Sequence, residues 1–458
     1  MNKNIARFII LVCTAITFTA CVNEEDDIFG KTAAERLNEV SGLYTSRLVA
    51  SGGTWIMEYY PTNSTEAVLG LGRPILCQFA KDKTVVCGMK NSASFNIYME
   101  SQSMWDVITD DGPVLTFNTC NDVLHTFSEP HDILETTEDD ELGRGFEGDY
   151  EFIITSLEEG ADHAMLKGKK RGTYNRMTRL PADVSFFNYL MDINSFTSST
   201  FVPGASELRL DLGDLRYNVS GMSTMLPMIY PREKQLEHDS PVYPYLVIKY
   251  KDKYYLRFRS EVGEEANSEQ EFVYHPESDC FKGVKDSTHV LRGLEGEEVP
   301  LYLASVGGTG FSFIISGENP NSAAFNQAWK DLVDGFKASG NELTNVVLAV
   351  GNDGKEMQLK ISYKLGRGST TAVFKAPMEY VEGGLKFGDY TGSSNTVEAL
   401  KTKIKKDGVP VLANFLNILG NGTFKVEGTE KALNLKGIRM EKTGVSPEIV
   451  IMGIRNVK

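Results

Sequence analysis

Metal, nucleophilic and acid–base chemistry each need a short list of residue types at set spacings, and this 458-residue chain offers few of them. Its histidines, at 125, 131, 163, 238, 275 and 289, never form HxxxH or HExxH, so no helical zinc site is encoded locally. His131 and Glu135 could share a helical face, but two ligands lack a third. Acids are densest at Glu129, Asp132, Glu135, Glu138, Asp139, Asp140 and Glu141, ahead of a glycine-rich turn. Hard oxygen ligands in a loop suit calcium, which makes Glu138, Asp139, Asp140 and Glu141 a candidate calcium loop. Their spacing is not the alternating pattern of an EF-hand, and a solvated acidic loop has the same composition. There is no GxSxG, no SxxK and no phosphate loop. In "GDYEF", Asp149 and Glu151 stand two apart on a strand and so on one face, a placement compatible with the paired carboxylates of glycoside hydrolysis and equally with a strand-edge charge pair. No catalytic residue is nominated, no metal site is assigned beyond that loop, and no cofactor is expected.

Binding needs less: sugars stack their apolar ring faces on exposed aromatic side chains flanked by polar groups. Trp55 falls in a strand and Trp329 in an amphipathic helix, whereas Trp105 lies in the polar stretch "SQSMWDVITDDG", where Ser101, Gln102, Ser103 and Asp106 could orient a sugar. Trp105 is therefore the first candidate platform. In "YLVIKYKDKYYLRFRS" a turn at Lys251 to Lys253 would bury Leu246, Ile248, Tyr250, Tyr254, Leu256 and Phe258. Tyr255, Arg257 and Arg259 then form a basic aromatic face, either a contact surface or the solvated side of a sheet. With 47 basic against 62 acidic residues and a net charge of −15, the chain is poorly suited to a phosphate backbone, so nucleic acid is not an expected partner.

The start of the chain says where it goes. Lys3 and Arg7 precede an apolar run from Phe8 to Ala20, the layout of a secretory signal peptide over 1–20 and too short to span a membrane. Cys21 directly follows the small residues Thr19 and Ala20, an arrangement that resembles a bacterial lipobox, in which the cysteine is acylated. Glu24, Glu25, Asp26 and Asp27 stand at positions where lipoproteins of the Bacteroides group resemble one another in carrying a surface-export signal; residues 21–30 are then a lipidated acidic tether. Beyond it remain Cys77, Cys87, Cys120 and Cys280, too few for a disulfide-dense scaffold. Cys77 and Cys87 mirror each other about Asp82 on one hairpin and could be a cross-strand disulfide or, slightly favoured, a pair of buried thiols.

The elements that must position these residues are mostly strands. Thr32 and Glu35 form a capping box opening a helix over 31–50, which Ser51, Gly52 and Gly53 stop. Alternating strands follow to about Pro181, so residues 31–181 read as a helix plus an antiparallel β domain. Residues 182–458 read as a second β-rich region, divisible at 182–300 and 301–458, with further helices near Ala324 to Lys337 and Thr396 to Lys406. "TFKVEGTEKALNLKG" echoes "EFIITSLEEGADHAMLKG", and "FKAPMEYVEGGLKFG" is similar to "FVYHPESDCFKG". The expected fold is mainly β, antiparallel meander or sandwich-like domains with a few amphipathic helices, and the two echoes point either to one duplicated module or to the common look of strand–turn–strand segments.

The pieces "IFGKTAAERLNE", "GGTWIMEYYP", "DGPVLTFNT", "LHTFSEP", "GDYEF" and "LKGKKRG", in that order between Ile28 and Gly172, resemble the Bacteroidota lipoproteins of domain of unknown function 4302. That resemblance implies an accessory protein encoded beside TonB-dependent transporters, with no settled activity. The expected function is a lipid-anchored, surface-exposed outer-membrane protein that binds a nutrient, glycan or peptide, without turnover and in company with a transporter complex. A carboxylate-type glycan hydrolase and an adhesin or surface-assembly component are the alternatives.

Overall fold

The computed structural model describes residues 30–456 except 66, 111, 131–142, 204–206, 235–236, 238 and 306–307. The chain forms two compact units: the first runs to Val184, save for Asn63–Pro74, which belongs with the second, Ser185 onward.

The first unit opens with α1 (Ala33–Val49), where the Thr32 hydroxyl accepts the Glu35 N–H and the Glu35 carboxylate accepts the Thr32 N–H. The helix ends where Ser51, Gly52 and Gly53 turn to positive φ. At Gly53 a Cβ would lie 2.1 Å from the Phe79 carbonyl oxygen, so only glycine lets the chain enter the barrel there. Strands β1 (Thr54–Tyr59), β2 (Arg73–Phe79), β3 (Thr84–Met89), β4 (Met99–Thr109), β5 (Pro113–Phe117), β6 (Glu151–Ser156), β7 (His163–Gly168) and β8 (Tyr174–Arg179) make a closed antiparallel meander. Closure pairs Trp55 with Arg179 and Met57 with Met177. Trp55, Tyr59, Cys77, Phe79, Trp105, Phe117 and Phe152 are buried, consistent with eight strands enclosing little more than their own side chains. At one end α1 is pinned: Arg179 donates to the Ala50 and Arg47 carbonyls, Arg47 donates to the Leu157 carbonyl, and the Trp55 indole N–H bonds the Leu48 carbonyl.

The second unit begins with α3 (Phe186–Thr200); α2 (Asp122–His125) belongs to the first. The sequence predicts that strands continue from Ala182, and here the structure differs, because Ser185 caps a helix whose Tyr189, Leu190 and Ile193 are buried. Strands β9 (Leu208–Leu212), β10 (Leu215–Ser220), β11 (Met228–Pro231), β12 (Tyr245–Tyr250), β13 (Lys253–Glu264), β14 (Asn267–His275), β15 (Cys280–Gly283) and β16 (Val290–Arg292) form an eight-stranded sheet in which β9 pairs with β16. It is the same meander, opened between β11 and β12 and spanned there by a bridge between Met228 and Val242. Tyr189 of α3 covers the β12 edge, its hydroxyl donating to the Lys249 carbonyl and accepting the Lys249 N–H.

After α4 (Glu298–Leu303) comes a second closed barrel, of β17 (Ser312–Ile315), β18 (Glu342–Val350), β19 (Glu356–Leu365), β20 (Gly368–Val381), β21 (Gly384–Phe387), β24 (Gly422–Gly428), β25 (Gly437–Lys442) and β26 (Val450–Arg455). Helix α5 (Ala323–Ala338) follows β17; α6 (Asn395–Lys403), the small pair β22 (Lys405–Lys406) and β23 (Val409–Pro410), and α7 (Leu412–Leu419) lie between β21 and β24. Leu433, in the β24–β25 connection, is buried in the core of the preceding meander.

The mainly β, antiparallel fold with few helices is therefore present, and the repeated module occurs three times. The register shows it. Phe152 pairs with Gly168, Phe272 with Gly283 and Phe424 with Lys442, each on strands six and seven of its meander. Three residues before the phenylalanine stand Asp149, Glu269 and Asn421. Asp149 accepts the N–H groups of Lys170 and Arg171 at 3.0 and 2.8 Å; Glu269 accepts those of Lys285 and Asp286, both at 3.1 Å. The backbone continues alike, with N–H donation from Lys169 to the Glu151 carbonyl, from Val284 to that of Glu271 and from Thr443 to that of Thr423. A Cβ at Gly168 would lie 2.1 Å from the Asp149 carboxylate, and one at Gly283 2.4 Å from that of Glu269, so acid and glycine go together.

Ala at Gly168 should destabilise the first unit by about 1–3 kcal/mol through overpacking, and Ala at Asp149 by a similar amount through two orphaned N–H groups. Asp149→Ala/Gly168→Ala should lose less than the sum, because the clash leaves with the carboxylate. Urea unfolding of the three variants checks this, and strict additivity would reject the coupling.

Candidate ligand-binding cleft

In the first barrel the connections alternate in length. At the α1 end, 80–83, 110–112 and 157–162 are short; at the other end, 60–72, 90–98, 118–150 and 169–173 are longer in all but the last case. Long connections on a rigid barrel are where binding groups collect. There a cleft of about 770 Å³ opens between residues 125–130, 144–151 and 169–171, within the range of small-ligand sites.

Each wall has a local cause. Asn121 is fully buried; its side-chain oxygen caps α2 at the Val123 and Leu124 N–H groups, and its amide donates to Ser103 and to the Ser101 carbonyl on β4. This fixes His125, whose ring stacks on Tyr150 with centroids 4.6 Å apart and planes 25° from parallel. Tyr150 is 39% exposed. The floor is held by the Gly148 N–H, which donates to the Phe127 carbonyl, and by the Tyr59 hydroxyl, which donates to the Asp149 carbonyl at 2.9 Å. A Cβ at Gly148 would meet that hydroxyl at 2.2 Å.

The charges around the ring pair are engaged. Arg171 meets Glu147 at 3.1 Å and Arg144 meets it at 3.7 Å. Lys169 reaches Asp110 at 2.6 Å and Glu151 at 3.3 Å, and these two partners, Asp110 first, hold its ammonium above the ordinary lysine range. Asp149 is buried and takes its two backbone N–H groups. The spacing of Asp149 and Glu151 does not leave two uncommitted carboxylates. The site offers one aromatic face and a rim of oriented cations, which is chemistry for holding a polar ligand.

Of the residues singled out from the sequence, Glu129, Asp149 and Glu151 line the cleft, and the others lie elsewhere or outside the described residues. Cys21, Glu24, Glu25, Asp26 and Asp27 lie outside, as do His131, Glu135, Glu138, Asp139, Asp140 and Glu141. Trp105 is described and is not the exposed platform expected of it. It points inward from β4, 1% exposed, edge-on to Phe79 at 4.8 Å, with the Lys83 ammonium 4.8 Å from its ring centre. The polar stretch around it is a strand, with Gln102 and Met104 outward and Ser103 and Trp105 inward. Tyr255, Arg257 and Arg259 lie on β13 and are half-buried. The turn before them is two residues, Lys251 and Asp252, both at positive φ. Tyr250 therefore pairs with Lys253, and Tyr245 and Val247, not Leu246 and Ile248, share the inner face with Phe258 and Leu256. Leu246 and Ile248 share the face of Arg257 and Tyr255 and are themselves buried. Within the second unit Arg259 donates to the Ser64 carbonyl and the Asn63 side chain, both at 2.7 Å. Of the four later cysteines, Cys77, Cys87 and Cys280 are buried and Cys120 is exposed.

Truncating Trp105 to Ala should thus act on stability, costing about 3–5 kcal/mol as a large core deletion. Thermal unfolding measures it, and an unchanged midpoint would return Trp105 to the surface.

Sequence reasoning missed His125 and Tyr150, although a signal was present. "LHTFSEP", "GDYEF" and "LKGKKRG", quoted above for the family resemblance, supply all the cleft residues except Arg144 and Glu147. None of the curated proteins matches the chain. The family described as Domain of unknown function (DUF4302) matches residues 25–274, more than half of the sequence, and the chain belongs to that family.

Proposed function

We propose that this protein is a non-enzymatic binding module for nutrient capture, with the cleft at His125 and Tyr150 as its ligand site and a glycan as the first ligand to test. The observation that carries this is the exposed Tyr150 ring, backed by His125 and bordered by Lys169, Lys170 and Arg171, at the barrel end away from α1. A sugar stacks one apolar face on such a ring while hydroxyl or carboxylate groups meet the surrounding donors. Glu147, Asp149 and Glu151 each have partners, which favours holding over cleavage. On this proposal Cys21 carries the lipid, Glu24 to Asp27 direct the protein to the surface of the outer membrane, and the captured ligand passes to a TonB-dependent transporter complex.

Calorimetry of the full chain against a glycan panel should give binding with no reducing ends released. Tyr150→Ala should weaken it roughly fivefold, about 1 kcal/mol, the scale of one aromatic contact. Equal affinity would remove Tyr150 from the site, and released sugar would overturn binding without turnover. Separately, Cys21→Ser should move the protein from the membrane to the soluble fraction; unchanged membrane association would reject the anchor.

A further inference from the structure

Cys77 on β2 and Cys87 on β3 are direct cross-strand partners, and their sulfurs lie 3.5 Å apart with both side chains fully buried. The turn fixes which kind of pair they make. The Ala80 N–H donates to the Thr84 carbonyl at 2.9 Å, so Ala80 and Thr84 form a hydrogen-bonded pair. Counting back along the ladder, Phe79 and Val85 are non-hydrogen-bonded, Gln78 and Val86 hydrogen-bonded, and Cys77 and Cys87 non-hydrogen-bonded. In such pairs the Cα atoms approach to about 4.5 Å, inside the roughly 4.4–6.8 Å window that a disulfide spans.

We propose that Cys77 and Cys87 are joined by a disulfide in the mature protein, locking the β2–β3 register inside the barrel. The link forms by thiol–disulfide exchange with a disulfide-bearing oxidant, a protein or glutathione disulfide. One cysteine thiolate attacks that oxidant, releasing one of its sulfurs as a thiol; the second cysteine then displaces the other. Two protons leave the cysteines, two electrons pass to the oxidant, and one S–S bond replaces another. Burial sets the order of events. The two cysteines lie ten positions apart on one hairpin, while barrel closure brings Trp55 to Arg179, so the hairpin can form and link before β1 and β8 enclose it. Once enclosed, the link is shielded from reductants as the thiols are from oxidants.

The test is to refold the full-length chain in a glutathione redox buffer, alkylate it in denaturant and digest it with trypsin. Trypsin cuts after Lys81 and Lys83, so a link holds together two peptides that otherwise separate. The expected result is that linked pair, two hydrogens lighter than the sum of its parts, with the other cysteines alkylated. Alkylation of both Cys77 and Cys87, or a link from either to another cysteine, would overturn the proposal. The result is independent of whether the cleft binds a glycan.

Discussion

An eight-stranded meander has two edges, each a row of unpaired N–H and C=O groups, and everything else in this chain depends on how those edges are removed. In the first barrel and the last, the first strand pairs with the eighth. The partners are more than a hundred residues apart, but loop-closure entropy grows only as the logarithm of loop length, roughly 0.6 kcal/mol per doubling, so the distance is affordable once the hairpins between have formed. Closure then gives α1 its seat, because Arg179, on the closing strand, both bonds the last carbonyls of the helix and lies 4.1 Å over the Trp55 ring. The middle meander keeps the β9–β16 pairing and opens instead between β11 and β12, where Tyr189 and the bridge at Val242 take up the exposed backbone.

The third copy shows what the acid and glycine of the other two accomplish. With Asn421 in place of the acid, a lysine fits where Gly168 and Gly283 stand. Lys442 uses the opening in another way. Its ammonium, held below the ordinary lysine range by burial, donates to the Asn417 and Gly420 carbonyls at the C-terminus of α7, the end of a helix that favours a cation. The same place in the meander thus holds a carboxylate against backbone N–H groups in the first two copies and a lysine that caps a helix in the third.

Much of this was legible because it is local. The Thr32 capping box, the glycine stop after α1 and the Cys77/Cys87 hairpin follow from neighbouring residues and stand as read. The echo between 151–168 and 423–437 joins strands six and seven of two barrels and is topologically true, whereas 374–388 and 272–283 match strands four and five to six and seven. Helix α3 was illegible for a physical reason. Its second half is rich in serine and threonine, which lower helix propensity, yet Thr197 and Ser198 bond back to the Ile193 and Asn194 carbonyls, and the buried Tyr189, Leu190 and Ile193 supply what propensity lacks. The β12–β13 register failed by one residue of turn length, and a single-residue shift exchanges the faces of a strand. The cleft was hidden for a different reason: His125, Tyr150 and Arg171 meet only after β5, β6, β7 and β8 are side by side.

The same closure explains why the cleft is charged without being uncommitted. The β7–β8 turn spends its N–H groups on Asp149, which orients the backbone and turns Lys169, Lys170 and Arg171 outward as three successive cations. In a chain of net charge −15 such a run is unusual. Exposed pairs such as Arg144 with Glu147 contribute little to folding, with a median near 0–1 kcal/mol. What they contribute is position, since a cation tethered at one oxygen keeps its remaining donors aimed in a narrow range of directions. Side chains ordered before a ligand arrives lose less entropy when it binds. The His125 and Tyr150 stack does for the aromatic face what the ion pairs do for the donors, because one ring holds the other in place while leaving Tyr150 partly exposed. Pre-orientation of both kinds is useful to a site that must recognise a ligand by shape and hydrogen bonding. On the proposed reading, the partners of Glu147, Asp149 and Glu151 serve to hold that arrangement of ring and donors in place.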